Sequence, residues 1–218
     1  MLYIFINILI NKIKSSSQNI LSVLFALMII TLFSISIEND PDILPKVTPA
    51  ILWLSVVLSS LLVSSDMYKE LDGYGVDSYL RSPYPMPLLL FVHVTSHWIV
   101  ACLPLILISP LLLLMIGFKT SYWVSILLPL IPGTLLFTLF ASLINALGFQ
   151  SRRSNLLSAL ILIPLFLPVL ILGVSSGLLD IAGKSFSAPL IWLWAYVAFM
   201  LPLSPWLSAK IYEMSGKV

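Results

Sequence analysis

Long apolar stretches separated by short polar clusters make up most of this chain. A helix needs about 20 apolar residues to cross the hydrocarbon core of a membrane, and these stretches lack the alternation typical of transmembrane strands. The pattern therefore predicts an all-α polytopic integral membrane protein. The six stretches that qualify as spans are residues 20–37, 47–65, 88–116, 122–147, 156–179 and 188–212.

The third stretch, residues 88–116, is longer than a straight crossing needs, so we expect a tilted, broken or partly re-entrant helix there. Proline removes a backbone hydrogen bond and kinks a helix, and membrane helices tolerate this where neighbours satisfy the freed carbonyl. Spans three to six are therefore predicted to be kinked. Their proline pairs are Pro104 and Pro110, Pro129 and Pro132, Pro164 and Pro168, and Pro202 and Pro205.

The composition agrees with a protein dissolved in lipid. Hydrophobic residues make up 60% of the 218 residues, charged residues 9%, and the mean hydropathy is +1.08. A soluble domain carries roughly 25% charged residues, so a water-soluble fold is excluded. We expect one transmembrane domain over residues 1–218, with no appended soluble module.

The first 18 residues have the pattern of an amphipathic helix. We expect residues 1–18 to lie in the membrane interface before the first span; the alternative is an extension of that span. One helical face is polar and the opposite face is apolar, formed respectively by Asn7, Asn11, Lys14 and Gln18 and by Leu2, Ile6, Leu9 and Ile13.

The placement of basic residues predicts the orientation. With a cytoplasmic N-terminus, eight of the eleven basic residues lie inside and three outside, as the positive-inside rule requires. Both termini are therefore predicted to be cytoplasmic. The inside residues are Lys12, Lys14, Lys69, Arg81, Arg152, Arg153, Lys210 and Lys217, and the outside residues are Lys46, Lys119 and Lys184.

The largest polar segment is the inside loop of residues 66–87. It holds six of the twenty formal charges, four of them acidic, and ends in a Pro-x-Pro-x-Pro run that forbids helix just before the next span. Loops of this length are more often functional than not, so we expect a docking surface; the alternative is a solvated connector. The candidate contact residues are Lys69, Glu70, Asp72, Gly73, Asp77, Leu80 and Arg81.

Two histidines stand four residues apart in the third apolar stretch. His93 and His97 share one helical face, so they are candidates to ligate a metal or haem iron, or to hydrogen-bond a neighbouring helix. His97 is the stronger candidate, since His93 lies nearer the headgroups. Trp98 either contacts a partner or an apolar ligand, or packs against lipid.

Several other chemistries are not expected. Cys102 is the only cysteine, and the chain lacks Cys-x-x-Cys-His, so haem is not predicted to attach covalently. A phosphate-binding glycine loop is also missing, so the chain is not expected to bind ATP by that route or to be an enzyme on its own. Acidic or basic residues do not occur deep within a predicted span, which disfavours an ion-driven transporter. We predict no metal site and no nucleic-acid partner.

A resemblance to a known family covers essentially the whole chain. The His97-Trp98 pair, followed by Leu-Pro-Leu at 103–105 and Ser-Pro-Leu at 109–111, resembles the haem exporter protein B (CcmB) family. Residues 31–37, 49–53, 58–62 and 83–87 are also similar to that family. One departure is the loosened acidic-glycine pattern at 72–77, which has an extra residue. Only His97, not His93, corresponds to the family's histidine.

The resemblance implies a six-span permease of the ABC exporter (ABC-2-like) type in the bacterial inner membrane or, alternatively, in the mitochondrial inner membrane. It implies a separate ATPase subunit (CcmA) that uses the ATP and would contact the 66–87 loop, with haem as possible cargo. Further implied partners are the haem-handling protein CcmC, the single-span CcmD and the haem chaperone CcmE. Within the family, ATP turnover is held either to export haem or to release the haem-loaded chaperone, and the second account is slightly favoured here.

Two alternatives to this interpretation stay open from the sequence. One is an ABC-type permease with the same architecture that carries another lipid-like or small substrate. The other is a purely structural subunit whose spans only anchor partners in the membrane.

Overall fold

The computed structural model describes residues 5–6, 8–10, 12, 17–36, 43–64, 67, 84–151 and 155–214, and these are helical apart from short turns. The predicted all-α fold is confirmed for this part of the chain. The helices are α1 (Ser17–Ser36), α2 (Leu44–Ser64), α3 (Met86–Ala101), α4 (Leu103–Met115), α5 (Trp123–Leu127), α6 (Leu130–Ser151), α7 (Asn155–Ile181) and α8 (Ser187–Met214), with a 3₁₀ turn at Thr120–Tyr122.

The apolar helices follow the six predicted stretches. Within the described residues, five helical segments are long and apolar enough to cross a membrane, and Ile20–Ser36 is a shorter apolar helix at the position of the first predicted span. The five are Leu44–Ser64, Met86–Met115, Thr120–Leu147, Leu160–Ile181 and Ser187–Met214. Described positions 5–6, 8–10 and 12 are helical, as the predicted N-terminal helix requires; its place in the membrane interface stays a prediction.

The third predicted span is a helix with a break in its middle. Helix α3 ends at Ala101, Cys102 has φ −96° and ψ −30°, and α4 begins at Leu103. Pro104 in the first turn of α4 has no N–H to donate to the preceding turn, and its ring crowds that turn. Of the three expectations for this long stretch, the broken helix is the one observed. Pro129 similarly falls between α5 and α6.

Helices α2 and α6 form the centre of the bundle. Helix α2 packs against α1, α4, α6 and α7, and α6 packs against α2, α3, α7 and α8. Accordingly 67% of the α2 span and 72% of the Thr120–Leu147 span are buried, against 22–33% for the other three long spans. Leu107, Ile171 and Trp192 on these outer spans are 63–70% exposed. Such an apolar exterior suits hydrocarbon rather than water.

A buried tryptophan joins α2 to α6 and α7. The indole of Trp53 is fully buried, and its edge meets Phe137 with ring centroids 6.3 Å apart at 84°. The ring lies against the backbones of Gly133 on α6 and Gly173 on α7, where an added Cβ would overlap the indole. Glycine at these two positions therefore permits the close approach of three helices.

Gly173→Ala should destabilise the bundle by overpacking. The added methyl would force Trp53 or the α7 backbone to move, a change that typically costs about 1–3 kcal/mol in a packed core. We expect a lower thermal unfolding midpoint for the purified protein in detergent. Combining the change with Trp53→Phe, which shortens the ring, should recover part of the loss. Equal midpoints for Gly173→Ala and the unaltered chain would show that the slot between the helices is not tightly packed.

Candidate functional site

Four residues from three separate parts of the chain form a buried polar cluster at one end of the bundle. Lys12 belongs to the N-terminal helical segment, Met67 follows the end of α2, and His93 and His97 lie on α3. Their exposed fractions are 7%, 0%, 1% and 8%. We call these four residues the polar cluster.

The α-helical repeat places the two histidines of the cluster together. Residues four apart lie on one face of a helix, one turn above the other. On α3 this face turns into the protein, where the helix packs against α4, α6 and α8, so neither ring faces lipid. An imidazole buried in this way must hydrogen-bond to offset its lost solvation.

The Met67 carbonyl is the acceptor at the centre of the cluster. His93 Nε2 lies 2.8 Å from it, and a carbonyl can only accept, so Nε2 carries the ring proton and donates. Lys12 Nζ lies 3.4 Å from the same oxygen, at the long end of hydrogen-bond distance. The N-terminal segment and α3 thus meet at one backbone carbonyl.

The second contact of the lysine sets the proton position on His97. Lys12 Nζ lies 3.5 Å from His97 Nδ1. Since an ammonium can only donate, Nδ1 is the acceptor, and the neutral ring carries its proton on Nε2. This assignment follows from the hydrogen-bonding chemistry of the two groups.

The arrangement favours hydrogen bonding over iron ligation for His97. An iron ligand must offer an unshared ring-nitrogen lone pair. His97 uses its Nδ1 lone pair toward Lys12 and carries a proton on Nε2, while the Nε2 of His93 donates to Met67. Over the described ranges, side chains of His, Cys, Asp and Glu do not gather in groups of three or more that could hold a metal ion.

The start of the 66–87 loop is also fixed by α6. Asn145 donates from Nδ2 to the carbonyl of Ser64, the last residue of α2, at 2.7 Å, and to Ala141 of its own helix at 2.8 Å. The final carbonyls of a helix lack intrahelical donors, so this amide supplies one from a neighbouring helix. The N–H of Met67 donates to the same Ser64 carbonyl at 3.4 Å.

Trp98 faces α6 rather than sharing the cluster with His97. Its indole Nε1 donates to Thr134 Oγ1 at 3.1 Å, and the ring packs beside Val63, Ala101 and Cys102. Cys102 is buried, with its Sγ 3.5 Å from Thr138 Oγ1. The indole N–H of Trp98 is therefore satisfied inside the bundle, while the partly buried ring leaves some surface for lipid or a partner.

Sequence reasoning named both histidines of the polar cluster as candidates but missed Lys12 and Met67. Lys12 was read only as an inside charge, although it lies three residues after Leu9 and four after Ile8, on the apolar side of its helix. A lysine on an apolar stripe was the available signal. The predicted loop contacts lie outside the described residues; they are Lys69, Glu70, Asp72, Gly73, Asp77, Leu80 and Arg81.

The sequence matches the family described as CcmB protein over residues 1–215. It is 31% identical to heme exporter protein B of Pseudomonas aeruginosa over 192 residues, covering 88% of this chain and 86% of that protein. It is 30% identical to heme exporter protein B of Haemophilus influenzae over 195 residues, covering 88% and 87%. For the protein of that name from Escherichia coli K12, the identity is 35% over 194 residues, covering 88% and 87%.

His97→Ala should destabilise the folded chain more than an ordinary interhelical contact would. Hydrogen bonds between membrane helices average about 0.6 kcal/mol, but those to charged groups are worth about 1.5–3 kcal/mol, and alanine removes an acceptor from a buried ammonium. We expect a loss of stability of about 1.5–3 kcal/mol, measured by thermal unfolding in detergent. Glutamine can still accept through its amide oxygen, so His97→Gln should retain most of the stability.

Thr95→Ala is the matched control for this comparison. Thr95 lies on the same helix, and its hydroxyl donates to Phe91 of its own helix at 2.8 Å, away from the polar cluster. Its loss should cost little. If His97→Ala and Thr95→Ala lowered stability equally, the contact between His97 and Lys12 would contribute no more to stability than a hydrogen bond within one helix.

Proposed function

The chain belongs to the CcmB protein family, and from that premise we propose that it is the membrane permease subunit of a haem-export system for c-type cytochrome maturation. The observation that carries this is the match to proteins named heme exporter protein B across about 88% of the chain. The apolar helices give the multi-pass membrane body that a permease requires. In this role the chain is a component of a transporter and not an enzyme by itself.

A separate ATPase subunit would supply the energy. The sequence has no phosphate-binding glycine loop with Lys-Ser/Thr, which favours ATP hydrolysis on another chain. We place its docking surface on residues 66–87, called the coupling loop from here on. The residues proposed to contact it are Lys69, Glu70, Asp72, Gly73, Asp77, Leu80 and Arg81.

The packing at both ends of the coupling loop supports this role. Met67 at its start is buried and contacts Lys12 and His93, while Ser64 just before it accepts from Asn145 of α6. At the other end the chain enters α3 directly at Met86. A displacement of Met67 at the start of the loop or of Met86 at its end would therefore act on α2, α3 and α6 through contacts that the structure describes.

The contacts of His97 favour chaperone release over haem export as the task of such a complex. Carrying haem iron through this bundle on His97 would need a free ring nitrogen, whereas Nδ1 lies against Lys12 and the neutral ring then carries its proton on Nε2. We therefore propose that ATP turnover drives release of a haem-loaded chaperone. In this account His97 and Trp98 hold helices or a partner in place and do not ligate iron.

We further propose that both termini are cytoplasmic and that the complex lies in a bacterial inner membrane. The basic-residue distribution supports the orientation. The proposed partners are the ATPase CcmA, the haem-handling protein CcmC, the single-span CcmD and the chaperone CcmE. Haem would be cargo of the system, not a cofactor held covalently by this chain.

Deleting the gene for this chain should abolish haem staining of membrane c-type cytochromes, and the intact gene should restore it. The chaperone distinguishes the two tasks in the same strain. If the complex releases a loaded chaperone, CcmE purified from the deletion strain should still carry haem; if the complex exports haem, CcmE should be empty. Normal staining in the deletion strain would contradict the proposed function, and empty CcmE would contradict the release account alone.

Reversing the acidic charges of the coupling loop should detach the ATPase. Like charges brought together at an interface can cost several kcal/mol, so Glu70, Asp72 and Asp77 changed together to lysine should leave the chain inserted while CcmA no longer co-purifies. In the control, Glu38→Gln, Asp40→Asn and Asp42→Asn neutralise three acids of the predicted outside loop. Retention of CcmA by the lysine variant would place the docking surface elsewhere.

A further inference from the structure

We propose that Lys12 is a positioning residue that links the N-terminal segment to the start of the coupling loop and fixes the proton position on His97. Its part in cytochrome maturation rests on the proposed function. The geometry of the link itself does not, so the two can be tested separately.

The burial of Lys12 is the first observation. Lysine side chains near a membrane surface normally extend their ammonium group to water or headgroups, because an ammonium is costly to bury unless it is well hydrogen-bonded. Here the residue is 7% exposed, and its Nζ points at Met67 O and His97 Nδ1. A side chain placed only to anchor an amphipathic helix at the surface would not adopt this direction.

The identity of the two acceptors is the second observation. One is a backbone carbonyl in the coupling loop, 55 residues along the chain, and the other is a ring on α3, 85 residues along. The same carbonyl also accepts from His93, four residues before His97. Lys12 therefore contacts the loop and the third span at once, through polar groups that have little alternative solvation in the bundle.

The chemistry of the ammonium explains what the contact does to His97. A lysine ammonium has three donor hydrogens and no acceptor, so it can serve the carbonyl and the imidazole together. By donating to Nδ1 it stabilises the tautomer with the proton on Nε2, leaving that N–H to donate to a neighbouring group. If the coupling loop moves, it must carry Lys12 with it or break these bonds.

Nitrogen NMR can read this link directly, because the chain contains only two histidines. The full chain is labelled with ¹⁵N-histidine, reconstituted in lipid nanodiscs, and assigned with His93→Gln. In the unaltered chain, His97 should show an unprotonated Nδ1 and a protonated Nε2. A proton on Nδ1 of His97 would overturn the proposal without any Lys12 variant being needed.

Variants at position 12 then test whether the lysine is the cause. Lys12→Met keeps the length and apolar stem but removes the donors, so the His97 signals should shift toward a mixture of tautomers. Lys12→Arg keeps donors and should retain the original pattern. The matched control is Lys210→Met, which makes the same chemical change at an exposed position of α8. Unshifted His97 signals in Lys12→Met would contradict the proposal.

The functional readout is haem staining of membrane c-type cytochromes in cells carrying each variant. Because Lys12→Met removes a hydrogen-bonded charge, it should reduce the yield of haem-stained cytochrome about tenfold. Lys12→Arg should restore most of that yield, and Lys210→Met should leave it unchanged. Full yield in Lys12→Met, despite altered ring signals, would remove its positioning role. Normal staining after deletion of the whole gene would instead refute the proposed function and leave the measured link intact.

Discussion

Away from water, a polar group without a partner costs several kcal/mol, and this constraint shapes the buried polar cluster. Met67 lies in a fully buried position just beyond the end of α2. His93 and Lys12 both direct hydrogens to its carbonyl. Because those donors come from α3 and from the N-terminal segment, satisfying one backbone oxygen joins three separate parts of the chain.

The packing of α2 against its neighbours holds the start of that junction in place. Trp53 packed against Gly133 and Gly173 fixes α2 against α6 and α7, and the α2 end then presents Ser64 to Asn145. By contrast, the third span is interrupted at Cys102, two residues before Pro104. Close packing is thus concentrated at α2 and α6, while the neighbouring third span is interrupted.

How far the sequence predicts this structure depends on whether a feature is local. The spans follow from stretch length and apolarity, and the break near Cys102 follows from Pro104, because both depend on neighbouring residues only. His97 was identified from its position in the third apolar stretch, and the resemblance pointed to the same residue. The contact of Lys12 with Met67 and His97 crosses 55 and 85 residues, and no local periodicity encodes it. Composition assigned Lys12 to the cytoplasmic charges, whereas tertiary packing places its side chain in the bundle.

If the proposal is right, Lys12, Met67, His93 and His97 move as one unit with the start of the coupling loop. The most direct measurement is an electron cryomicroscopy structure of the assembled complex without nucleotide and with a non-hydrolysable ATP analogue. The account predicts that the Met67 carbonyl stays within hydrogen-bond distance of His93 Nε2 and Lys12 Nζ in both states while the loop and α3 shift together. Separation of these groups in either state, with the loop moving independently of α3, would contradict it.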